Sequence, residues 1–178
     1  ICRMRSVVLY KNEEKPAPMY WEAWEEPSGV VEHWGPVGEE GEVRAFAPTE
    51  ASFDELVEKA RSQGYEERAD FQCVIVQMPT TGGWPTNDEI ELRWRIESLL
   101  DDALGWVGNG HCDGGDAGSG SMNIFCYVVD AAAGARTMIE TLRDKGLLER
   151  LTIAVDDADT DTMRVLWPAD HPGAFSLF

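Results

Sequence analysis

Long apolar runs are missing from this chain of 178 residues. No stretch approaches the roughly eighteen consecutive apolar positions of a membrane-spanning helix. The charged-then-apolar leader of a secretory signal is missing too, so the chain reads as a cytoplasmic protein. Ile1, Cys2 and Arg3 precede Met4 and leave the natural start open. Positive charge is scarce: 15 Lys and Arg face 33 Asp and Glu, a formal net charge of -18. The imbalance is shared, with 16 acidic against 8 basic side chains in residues 1–70 and 17 against 7 after them. Such a field repels phosphate backbones, because nucleic-acid binders gain affinity by releasing counterions to Lys and Arg. It suits a partner with a basic face.

Catalytic and metal-binding patterns are equally thin. The four cysteines, Cys2, Cys73, Cys112 and Cys126, form no C-x-x-C pair, which excludes a zinc knuckle and a thioredoxin motif. Cys73 and Cys126 fall in apolar runs and read as reduced core residues. Gly118-Ser-Gly-Ser121 lacks the spacing of a nucleophile elbow, and Gly108-x-Gly110 is followed by Asp113 where a dinucleotide fingerprint needs a third glycine. Asp157-x-Asp159-x-Asp161 imitates the start of a calcium loop, but Thr162 stands for its glycine and Pro168 for its bidentate Glu. An acidic hairpin is the better reading. These absences argue against an enzyme and call for no cofactor and no metal.

What is present is enough for a core: 43% hydrophobic residues and seven Trp. Met4 to Tyr10, Met19 to Glu25, Val30 to Trp34 and Glu42 to Ala47 read as strands. Asn12 to Pro18, Pro27-Ser28-Gly29 and the punctuation from Gly35-Pro36 to Gly41 supply the turns. Ser52-x-x-Glu55 is a capping-box pattern, and Phe53, Leu56, Val57 and Ala60 form one helical stripe that Gly64 ends. The polar bridge Glu66 to Asp70 is the candidate boundary. Beyond it, Phe71 to Met78 is a nearly continuous apolar strand. Thr86-x-x-Glu89 opens a helix to about Leu104 whose inward residues are Leu92, Ile96, Leu99, Leu100 and Ala103. The segment Gly105 to Gly120, with seven of the seventeen glycines, reads as a loop. Ser121 to Val129 follows as a strand, Asp130 caps a helix that Gly146 ends, and Leu151 to Val155 and Met163 to Trp167 close the chain as strands.

Within the first half, Trp34-Gly35-Pro36 sits in Gly29-Val-Val-Glu-His-Trp-Gly-Pro-Val-Gly38, followed by Glu39-Glu40-Gly41-Glu42. This run resembles the signature of the WGR domain, a sheet-and-helix module of poly(ADP-ribose) polymerases and of free-standing bacterial proteins. The resemblance spans about residues 4–67. It departs at Pro36, where the motif has arginine. The resemblance implies that Trp34 stacks at a nucleic-acid end, with His33 and Arg44 the only local cations. The missing guanidinium and the crowding by Glu32, Glu39, Glu40 and Glu42 point instead to a tryptophan that packs the sheet and a Gly35-Pro36 pair that fixes a turn.

Residues 71–178 are expected to form a ferredoxin-like βαββαβ sandwich, with two helices on one face of an antiparallel sheet. The run Asp113 to Phe125 resembles a segment of uncharacterised small bacterial proteins. The fold expected is therefore α+β, a WGR-like antiparallel sheet with one helix (1–67) and a ferredoxin-like domain (71–178). His111, Cys112, Asp113 and Asp116 are the nearest thing to a metal cluster, yet match neither zinc nor a hard cation well. A small-molecule or partner contact on the same loop, at Asn109, His111, Asp113, Asp116, Ser119 and Asn123, is the stronger candidate. The function expected is non-catalytic binding of a basic protein, of immunity or antitoxin type. Nucleic-acid-end or nucleotide binding through Trp34 is the alternative, and a metal-dependent enzyme at His111–Asp116 the third.

Overall fold

The computed structural model describes residues 4–12, 17–157 and 162–177. The chain forms two compact units, one of residues 1–70 with Trp106–Gly108, the other of residues 71–105 and 109–178. Each carries its own antiparallel sheet, and the class is α+β, as expected. Among the described residues no helix is long and apolar enough to cross a membrane.

In the first unit, β1 (Ser6–Lys11), β2 (Met19–Glu26), β3 (Gly29–Pro36) and β4 (Glu42–Phe46) form a meander in chain order. Strand alternation sorts its side chains onto two faces. Leu9, Trp21, Ala23 and Val30 face helix α1 (Phe53–Ser62) and pack against Phe53, Leu56 and Ala60. The capping box at its start is formed: Ser52 Oγ accepts from the Glu55 amide at 3.3 Å, and Glu55 accepts from the Ser52 amide at 2.9 Å. The helix ends at Gln63, and Gly64 takes φ +90°.

Gly35 and Pro36 lie inside β3, where a turn was expected; the turn falls after them, toward Gly41. The reason is the tight crossing of the two chain segments. A Cβ on Gly41 would run into the Trp34 carbonyl and the Tyr20 hydroxyl, so both glycines serve close backbone approach.

The second sheet orders β6 (Gly110–Gly118), β7 (Ser121–Val128), β5 (Gln72–Pro79), β8 (Thr152–Asp157) and β9 (Thr162–Trp167), each pair antiparallel. The first four make the interleaved order of a ferredoxin-like βαββαβ unit, and β9 extends its edge. Helices α2 (Asn87–Trp106) and α3 (Ala131–Asp144) cover one face. Ile96, Leu100, Leu104, Met138 and Leu142 bury there against Val74, Val76, Ile124 and Ile153. Asp130 caps α3 through the Ala133 amide at 2.8 Å. The acidic hairpin of Asp159 and Asp161 and most of the turn after β1 lie outside the described residues.

Two expectations are corrected in this unit. The glycine-rich segment is not a loop: most of it is strand β6, paired along β7 with a bulge between Cys112 and Gly115. Its outward amides find acceptors on α2, Cys112 N–H donating to Asp101 Oδ1 at 2.8 Å and Gly114 N–H to Glu97 Oε1 at 3.2 Å. Those bonds compensate for the missing side chains. Cys126 is not reduced: it is joined to Cys112, directly opposite in the β6–β7 register. Cys73, half-buried, is free, and burial pushes its thiol pKa up.

Candidate functional site

Pairing across β2, β3 and β4 builds the site from alternate positions. Trp21 stands opposite Trp34, and Glu32 opposite Arg44, all on the face toward α1. From α1 and the segment that follows it, Leu56, Lys59, Ala60, Gln63 and Tyr65 complete a pocket of about 230 Å³. Trp21 and Leu56 are buried floor, whereas Trp34 and Tyr65 are half-buried walls.

Glu32 is the acidic residue lining this pocket, beside the basic Arg44 and Lys59. Only 7% of its surface is exposed, and among the described residues its side chain accepts one hydrogen bond, from the Trp21 indole N–H to Oε2 at 3.3 Å. Among the described residues no cation lies within ion-pairing distance of it. Arg44, its cross-strand neighbour, places its guanidinium over the Phe46 ring, 4.6 Å from the centroid. Lys59 is exposed on α1. A carboxylate with so little exposure is expensive without a compensating charge.

His33 does not belong to it. Adjacent residues on a strand point to opposite faces, and His33 is fully buried on the far side of the sheet. Its Nδ1 donates to Glu22 Oε1 at 2.7 Å, and its Nε2 shares a hydrogen bond with the Tyr20 hydroxyl at 2.8 Å. Trp106 stacks on the imidazole with centroids 4.6 Å apart. Burial, with the Glu22 carboxylate, pushes the Tyr20 hydroxyl pKa up. Every polar atom of the imidazole is committed, so this cluster locks the fold. The expected trio of Trp34, His33 and Arg44 is thereby reduced to Trp34 and Arg44.

In the second unit the six expected contact residues separate. Asn109 is fully buried and holds the start of α3: its Oδ1 accepts from the Asp130 amide at 2.9 Å, and its Nδ2 donates to the Asp130 carbonyl at 3.0 Å. Asn123, also fully buried, donates to Asp116 Oδ1 at 2.6 Å and accepts from Gln77 Nε2 at 3.0 Å. His111 is exposed on the helix-free face, its ring 5.7 Å from Phe71 and 5.8 Å from Tyr127. Asp113 stands in the bulge, and Ser119 takes φ +51° in the hairpin turn. Cys112 turns to the opposite face and is bonded to Cys126, so His111, Cys112, Asp113 and Asp116 do not converge on a point.

Sequence reading missed Trp21, Glu32, Lys59 and Tyr65 as parts of one site. Strand alternation was the available signal for Glu32, which shares its face with Trp34 two residues on. Lys59 and Tyr65 arrive through helix packing, which no local pattern encodes. Comparison with protein-family models, with curated proteins and with solved structures finds no match to this chain.

Proposed function

We propose that this protein is a non-catalytic binding protein that recognises a basic protein partner, in the manner of an immunity protein or antitoxin masking a cationic effector. The observation that carries this reading is Glu32: the pocket beside Trp34 is lined by a buried carboxylate, which repels a phosphate. The excess of 33 acidic over 15 basic side chains supports it, and four of the cations are already engaged. Arg5 is paired with Glu25 and Asp54, Arg61 with Glu67, Arg68 with Asp70, and Arg93 with Glu97. Among the described residues, Arg44 and Lys59 are the cations that line the pocket of Trp34. Calorimetry with cationic effector proteins at low and high salt tests the reading. Salt-sensitive association supports it, and indifference to every basic partner sinks it.

The alternative, binding of a nucleic-acid end or nucleotide, is favoured by that same pairing of Trp34 with Arg44 and Lys59. Gel shifts with nicked and blunt DNA at low salt distinguish it: retention by the native chain, lost in Trp34→Ala, selects the nucleic-acid reading.

A further inference from the structure

The pocket between α1 and the first sheet combines a carboxylate, aromatic walls and a small volume, and the combination defines what fits. A cavity of about 230 Å³ falls below the roughly 300–1,000 Å³ of sites for drug-sized ligands, so it takes a side-chain-sized group. Trp21, Trp34 and Tyr65 supply apolar and π-rich surface, which favours a weakly hydrated organic cation over a metal ion. Glu32 supplies the counter-charge and has spent only one oxygen on the Trp21 indole. The neighbourhood already hosts one such contact, the guanidinium of Arg44 over Phe46.

We infer that this pocket is a recognition site for a guanidinium or ammonium group, held by Glu32 between Trp34 and Tyr65. The inference rests on the proposed recognition of a basic protein and names the group on the partner that enters: the head of an arginine or lysine side chain. Arg44 and Lys59 are then electrostatic competitors at the rim, and neutralising either one tightens cation binding. A phosphate ligand requires the reverse, which makes the two rim cations diagnostic.

The test titrates N-acetylarginine methylamide and tetramethylammonium chloride into the native chain, followed by tryptophan fluorescence and amide NMR shifts. Saturable binding that shifts Trp34 is expected, with loss of about tenfold in affinity for Glu32→Gln, the strength of one charge-assisted contact. Lys59→Gln, a change at an exposed position, is expected to gain about threefold. Trp34→Leu, which leaves the carboxylate in place, is expected to weaken both probes and covers the case in which the Glu32 variant fails to fold. Absence of saturable binding, unchanged affinity in Glu32→Gln, or adenosine monophosphate binding that weakens in Lys59→Gln each overturns the assignment. A polyarginine peptide separates the two levels. If it associates in a salt-sensitive way while the small cations do not bind, the pocket assignment falls and the basic-partner reading stands. If it too is ignored, both fall.

Discussion

A Cβ placed on Gly35 would lie 2.8 Å from the Gly41 Cα, closer than side-chain carbons approach backbone in folded proteins. The spacing of the Trp-Gly signature therefore records a crossing of two backbone segments beside the Tyr20 ring. Gly41→Ala is expected to destabilise the first unit by about 1–3 kcal/mol, the usual cost of overpacking a rigid site. Gly83→Ala, at a position with open space around it, is the control and leaves the urea midpoint nearly unchanged. Equal midpoints for the two variants would contradict the crossing.

Asn109 joins the end of α2 to the start of α3 through both of its amide atoms. Asn109→Ala empties a buried position, removes the acceptor of the Asp130 amide and leaves the Asp130 carbonyl only its bond from the Gly134 amide. The expected loss is about 2–3 kcal/mol, read from denaturant unfolding. Asn109→Asp retains the acceptor but not the donor, and falls between the two.

Joining Cys112 to Cys126 closes a loop with a sequence separation of 14. Chain entropy assigns such a loop about 3 kcal/mol of stabilisation. Non-reducing peptide mapping is expected to recover these two positions in one linked fragment, and reduction to lower the unfolding midpoint. Two separate fragments under oxidising conditions would remove the bridge from the account.

Glu89 contributes to the response of the fold to acid. Amide hydrogen bonds from Thr86 and Thr81 hold its carboxyl down to about 2, from an ordinary 4.5. The unfolded chain takes up this proton first as pH falls, so the contribution is present above about 4.5 and is lost as pH drops toward 2. Glu89→Gln removes the titrating group. Its urea midpoint is expected to vary less than that of the native chain across this window, and an equally steep decline would show that other carboxylates dominate.

How much of this was legible depended on how far apart the cooperating residues lie in the chain. Capping at Ser52, Thr86 and Asp130 is local chemistry spelled out within four residues, and each cap forms where the pattern puts it. Strand β6 was hidden because its glycines carry no alternation and its outer amides are satisfied by Asp101 and Glu97 of a preceding helix. The Cys112–Cys126 bond follows from register, which the bulge shifts. In the candidate site the indole was conspicuous. The carboxylate beside it was read as surface crowding, because burial of Glu32 is decided by where α1 lands.

The carboxylates of α2 that occupy the β6 amides have one more effect. An unpaired border strand ordinarily offers its backbone to any passing extended peptide, the first step toward fibrillar stacking. Here two of those donors are already spoken for, and the bulge twists the strand out of line. Self-association by strand addition is discouraged at this border, which leaves side chains, rather than the backbone, to choose what docks along it.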